Sequence, residues 1–157
     1  MKCLYTFTNL VLIFNVIALC IQNVPKYIKI AAINLLVYII ICGNVLIFTH
    51  RKSIQKVCNI NLVLLDIGNI LFHICIPILF IVLWMFYKNI KNNFRTVTTS
   101  VLAGIISIFI GGLYLVFMNL NIVFDYGLPQ NIINIYITVF ILLTVINCSI
   151  FLYKNKK

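Results

Sequence analysis

Residues Asn61 to Tyr87 read NLVLLDIGNILFHICIPILFIVLWMFY. A helix needs about 20 predominantly apolar residues to cross a bilayer, and this run is long enough. Asp66, Asn69 and His73 interrupt it. Spacings of three and four put them on one helical face as a polar stripe. Ionisable groups in hydrocarbon are costly and face a protein interior or a wet cavity. The stretch therefore predicts a membrane helix that packs in a bundle, and His73 is the first residue to follow.

The rest of the chain fits that reading. Of its 157 residues, 64% are hydrophobic and only 9% charged, and mean hydropathy is +1.15. Soluble domains are closer to half apolar. Five runs are candidate spans, at about 4–22, 28–49, 61–87, 98–119 and 131–153. The expected fold is all-α: a polytopic membrane bundle of five transmembrane helices forming one domain over 1–157. The runs are too long and uniformly apolar for barrel strands, which would alternate over about ten residues. The first run lacks a small-x-small cleavage site and reads as a span rather than a signal peptide.

The formal charge is +10, from 12 Lys and Arg against Asp66 and Asp125. The basic residues gather at span ends, not in a stripe with exposed aromatics, so nucleic-acid binding is excluded. Five spans put the termini on opposite sides. Lys2, Arg51, Lys52 and Lys56 then share one side. Lys26, Lys29, Lys88, Lys91, Arg95, Lys154, Lys156 and Lys157 share the other. The positive-inside rule makes the second side cytosolic and leaves the N-terminus outside or lumenal. Tyr27, Trp84, Tyr87, Tyr126 and Tyr153 sit near span ends, as an interfacial aromatic belt would. The six cysteines read as small buried apolar residues.

No phosphate loop, zinc motif or nucleophile elbow is present, so neither metal nor cofactor is expected. The remaining polar residues collect in the outer half. Thr6, Thr8 and Asn9 open the first span, Asn69 and His73 lie in the third, and Asp125 lies in the outer link. If the third span enters the membrane near Ile67, His73 lies about 9 Å deep. Asp66 then stays at the interface, where a charge costs less. A threonine hydroxyl is a weak nucleophile that needs a base in hydrogen-bond reach, usually a neutral histidine. Asn69, one turn earlier, is placed to orient the imidazole. The structural alternative is that His73 ties helices together and the threonines cap a helix start.

Three stretches carry a family resemblance. Tyr5-Thr6-Phe7-Thr8-Asn9-Leu10-Val11 is similar to the threonine motif of the androgen-induced and androgen-dependent multi-span membrane proteins. Asn69-Ile70-Leu71-Phe72-His73, with Pro77 a turn later and Trp84 beyond, resembles their histidine motif. Gly111 to Phe117 followed by Val123-Phe124-Asp125-Tyr126-Gly127-Leu128-Pro129 resembles their late span and acidic link. The family has six spans where five are read here, and its Tyr-Pro-Phe is reduced to Val-Phe. The resemblance implies an atypical threonine hydrolase of fatty acid esters of hydroxy fatty acids. Thr6 would be the nucleophile and His73 the base, with Asn69, Asp66, Asp125 and Asn9 supporting. The partners implied are membrane lipid and a lipid ester. The alternative is a non-enzymatic multi-span protein, a transport subunit or interaction partner.

Overall fold

The structure is a computed structural model. It describes residues 7–87, 90–91, 94–119 and 129–154. The fold is helical: α1 (Phe7–Cys20), α2 (Lys26–Cys58), α3 (Leu62–Phe86), α4 (Thr96–Asn119) and α5 (Gln130–Lys154). Four helices among the described residues, α2 to α5, are long and apolar enough to cross a membrane. The expected count of five is not confirmed: the described part of α1 has 14 residues, about 21 Å at 1.5 Å per residue.

Local chemistry sets the ends. Asn23, at φ 56°, turns the chain after α1. α2 runs past the expected limit at 49 through the basic stretch to Cys58, and its backbone leaves helical geometry only at His50 (φ −115°, ψ 22°). Asn59 stops it in the left-handed conformation, the usual helix C-terminal device after glycine's own. Asn61 then caps α3 by accepting from the Val63 amide at 2.9 Å.

α2 is the central helix. Its Ala31 and Ala32 are fully buried, as is Ala103 of α4, with Ser100 and Ser107 beside it. Small residues let helices approach closely where no hydrophobic effect separates protein from lipid. Buried hydroxyls are satisfied locally or across the bundle. Ser107 and Thr144 bond carbonyls four residues back. Ser100 donates to the Cys148 carbonyl at 2.8 Å, joining α4 to α5. Large apolar side chains such as Phe48, Met85 and Phe86 point outward, the pattern a lipid-covered surface requires.

The links at one end also pair. Val24–Pro25 (β1) and Ile90–Lys91 (β2) form a two-residue parallel ladder, with Val24 opposite Ile90. The α1–α2 and α3–α4 links, which carry or adjoin five of the basic residues, thus share one end of the bundle; we call it the basic end.

Two expectations are corrected here. Trp84 is fully buried, not interfacial, because its indole Nε1 donates to Asn15 Oδ1 at 2.8 Å. A buried indole N–H needs such an acceptor. Cys58 is disulfide-bonded, and of the free thiols Cys20 and Cys75 are exposed, so these three are not buried apolar fillers; Cys42 is buried and Cys148 half-buried.

Candidate functional site

His73 sits in a local widening of α3. Pro77 has no N–H to offer the His73 carbonyl four residues earlier, and its ring crowds that carbonyl. The helix responds with a π-type segment over Leu71–Cys75, where Ile76 bonds the Leu71 carbonyl. Asn44 supplies the missing donor: its Nδ2 reaches the His73 carbonyl at 3.3 Å and the Ile40 carbonyl at 2.6 Å. Ile40 belongs to a second π-type segment, Ile39–Gly43, in α2. Two such bulges facing each other are unusual, and single π-bulges gather at functional sites.

Gly43 makes the facing possible. A Cβ there would clash with the imidazole at Cδ2, with Cγ at 3.1 Å and Nε2 at 3.2 Å. The absent side chain is the space the ring occupies. On its other side the ring meets α1, where Thr8 Oγ1 lies 2.9 Å from His73 Nε2. Thr8 is itself buried, on the inward stripe Thr8, Val11, Asn15 and Ala18.

The start of α1 is held by an aromatic cluster. Phe7 packs edge-on against Tyr38, Tyr114 and Phe140, with centroids 5.3 to 6.0 Å away. Tyr38 and Phe140 pack edge-on as well, at 4.8 Å. These rings, with Ile39, Leu46, Gly111 and Ile137, wall a largely apolar cavity of about 250 Å³ that holds Thr8 and His73 on its lining. All five helices contribute to it, α3 through His73 alone. Counted from the basic end, Thr8 is 12 residues from Cys20, Gly43 is 17 from Lys26 and His73 is 13 from Phe86. At 1.5 Å per residue the site lies about 18 to 26 Å from that end.

The sequence-derived candidates separate. Thr6 and Asp125 lie outside the described residues. His73 is paired with Thr8, which the sequence places in the same polar group without singling it out. Asn69 does not line the cavity; its Nδ2 donates to Asn44 Oδ1 at 3.0 Å, one helical turn toward the far end. Asp66, a further turn away, pairs with Arg51 of α2, and both are about half exposed. Asn9, half-buried on α1, is not on the cavity wall. Asn44, Gly43 and Phe140 escaped the sequence reading, since their roles depend on packing between segments far apart in the chain. Among the described residues no cluster of three or more His, Cys, Asp or Glu could hold a metal ion.

In the tautomer protonated at Nδ1, Nε2 is the acceptor and the Thr8 hydroxyl the donor. The Asn69 backbone carbonyl, facing the imidazole one turn back, favours that tautomer. Nδ1 nonetheless has no hydrogen bond of good geometry and is buried. The arrangement is a hydroxyl on a base within an apolar chamber. No protein-family model, curated protein or solved structure matches the chain.

Proposed function

We propose that this chain is a membrane-embedded lipid ester hydrolase with Thr8 as nucleophile and His73 as base. The observation that carries the reading is the 2.9 Å contact between Thr8 Oγ1 and His73 Nε2 on the wall of an apolar cavity. Nucleophile and base within hydrogen-bond reach are the minimum for acyl transfer. The substrate class is an ester with a long apolar acyl chain, of the kind a hydroxy fatty acid forms. The cavity's aliphatic and aromatic wall would take the chain.

The steps balance. Thr8 Oγ attacks the ester carbonyl while His73 Nε2 takes the hydroxyl proton. The tetrahedral intermediate collapses, the ester C–O bond breaks, and His73 returns the proton to the leaving alkoxide. Water then attacks the acyl-threonine, giving its proton to Nε2. The acid leaves, and Thr8 Oγ recovers the proton. Ester and water become acid and alcohol.

We place the chain in the membrane with five crossings, the run 4–22 supplying the fifth, and with the basic end cytosolic. The disulfide at Cys58 supports this, since it lies at the opposite end from the basic links and disulfides persist on the non-cytosolic side.

The test is labelling of the purified chain by a fluorophosphonate, with mapping of the labelled residue, beside hydrolysis of a hydroxy-fatty-acid ester. Thr8→Ala and His73→Ala should each abolish both, with insertion unchanged, and Thr6→Ala should leave both within about threefold, the scale of ordinary context effects away from a reacting group. Loss with Thr6→Ala and not Thr8→Ala would move the nucleophile to Thr6. Absence of labelling in the unaltered chain would leave the Thr8–His73 bond as a tie between helices.

A further inference from the structure

The cavity is not sealed on every side. Its walls from α1 and α2 are buried or half-buried, with Thr8, Ile39, Cys42 and Ile47 at 2% to 6% exposure. The lining residues that are exposed are Ile108 and Gly112 of α4 and Ile141 of α5. Ile108 is 45% exposed and Ile141 42%. The three belong to one place, the seam between α4 and α5. Those helices run antiparallel. A Cβ on Gly104 would touch Cys148 Sγ at 3.5 Å, and one on Gly111 would collide with the Phe140 ring. That register sets Ile108 and Gly112 level with the turn of α5 that carries Ile141.

Two adjacent glycines do opposite things in this seam. Gly111 lets the helices close, since any side chain there would strike Phe140, whose ring belongs to the aromatic wall. Gly112 leaves a gap: a Cβ there would meet nothing within 4 Å, although the residue lines the cavity. The height of the gap matches the reacting pair. Ile108 and Gly112 are 12 and 16 residues from Thr96, and Ile141 is 13 from Lys154. At 1.5 Å per residue they lie about 18 to 24 Å from the basic end, the level of Thr8 and His73. The edges of the gap are isoleucine and glycine. They suit a hydrocarbon chain and offer a polar headgroup no side chain to bond. The helices on either side are two of the four long and apolar enough to cross a membrane.

We propose that the gap at Gly112 is a lateral entrance through which the acyl chain of the substrate passes from the bilayer into the cavity. Resting on the hydrolase reading for its substrate, this entrance makes Gly112 a specificity-determining residue. It touches the chain and not the reacting atoms. A long chain must occupy the gap while its ester reaches Thr8, and a short chain need not. Narrowing the gap therefore selects by chain length.

The experiment uses the full chain in lipid nanodiscs and two readouts. The first needs no catalysis. A fatty acid with a diazirine at mid-chain is photolysed, and the labelled residues are mapped one by one. Ile39, Cys42 and Ile47 are buried on the cavity wall, so only a chain inside the cavity can label them. They should be labelled in the parent and lose the label in Gly112→Phe. Ile141→Trp, which enlarges the opposite edge, should act in the same direction. The control is Gly68→Phe, at a glycine of α3 equally open but off the cavity, and it should keep the label. The second readout is kcat/KM for the 4-nitrophenyl hexadecanoate ester against the butyrate. Gly112→Phe should lower that ratio at least about tenfold, the low end of what a one-methylene misfit imposes in an apolar pocket. Gly68→Phe should leave it within about threefold, the scale of ordinary context effects. Parent-level label on Ile39, Cys42 and Ile47 in both Gly112→Phe and Ile141→Trp, or an unlabelled cavity in the parent, overturns the entrance. So does an equal fall for both esters, or the same loss in Gly68→Phe. The expected photolabelling with no fluorophosphonate labelling at Thr8 overturns the hydrolase reading and leaves the entrance standing as a lipid port.

Discussion

The imidazole of His73 is positioned by what Gly43 lacks. Alanine is the better helix former by about 1 kcal/mol, so Gly43→Ala should not impair folding on propensity grounds. Its methyl would overlap the ring, and a helix core gives way only by small shifts. The ring would have to move by about an ångström, and a misplacement of that size can cost about 100-fold in rate. We therefore expect Gly43→Ala to insert normally and to lose fluorophosphonate labelling at Thr8 by about that factor. Labelling equal to the parent would mean that the contact between Thr8 and His73 is not what activates the hydroxyl. The choice of threonine has a residue-level signal that was readable in principle. Thr8, Val11, Asn15 and Ala18 follow a 3-4-3 spacing, the inward stripe of a bundle helix. Asn15 on that stripe meets Trp84 in a buried hydrogen bond, a second sign that the stripe faces protein. The family-like motif drew attention to Thr6 instead.

Between residue and molecule stand the two bulged segments, and one of them has a cause written in the sequence. Pro77 removes a donor and crowds a carbonyl, so α3 cannot run as a plain α-helix through His73. Pro77→Ala restores the N–H and removes the crowding. If Leu71–Cys75 then relaxes to α geometry, one residue of phase is lost, a turn of about 100° at 3.6 residues per turn, and the imidazole swings off Thr8. The expected outcome is a correctly inserted chain with labelling and ester hydrolysis both reduced by about 100-fold. Unchanged labelling would show that the bulge is held by Asn44 and Gly43 and not by the proline. The apolar run of α3 and its polar interruptions were plain from sequence, because hydrophobic length and helical spacing are local properties. The partner of each interruption was not. Asp66 to Arg51, Asn69 to Asn44 and His73 to Thr8 join positions from 15 to 65 residues apart, which no periodicity encodes. The length of α2 was misjudged for a different reason. Hydropathy falls at Thr49-His50-Arg51, but Lys, Arg, Gln and Ser are acceptable helix residues, so the helix outlasts its apolar stretch to Cys58.

For the whole molecule, the structure fixes which ends lie together, and charge then suggests which way they face. The ladder between Val24–Pro25 and Ile90–Lys91 joins two links at one end, beside Lys26, Lys29 and Arg95. The Arg51–Asp66 pair and the disulfide at Cys58 lie at the other. Basic residues near span ends orient a membrane protein with the richer side in the cytosol. An oxidised cysteine belongs on the opposite side. Both chemistries, one electrostatic and one redox, favour the proposed orientation. In the proposed orientation the Thr8–His73 site would lie toward the non-cytosolic side and the Arg51–Asp66 pair would face it. We expect a tag after Lys157 to be reachable only from the cytosol and a tag in the link 120–130 only from the other side. Cys58 should resist alkylation in intact cells until a membrane-impermeant reductant is added. Both tags on one side would remove the odd number of crossings. Cys58 that reacts only after the membrane is breached would reverse the orientation.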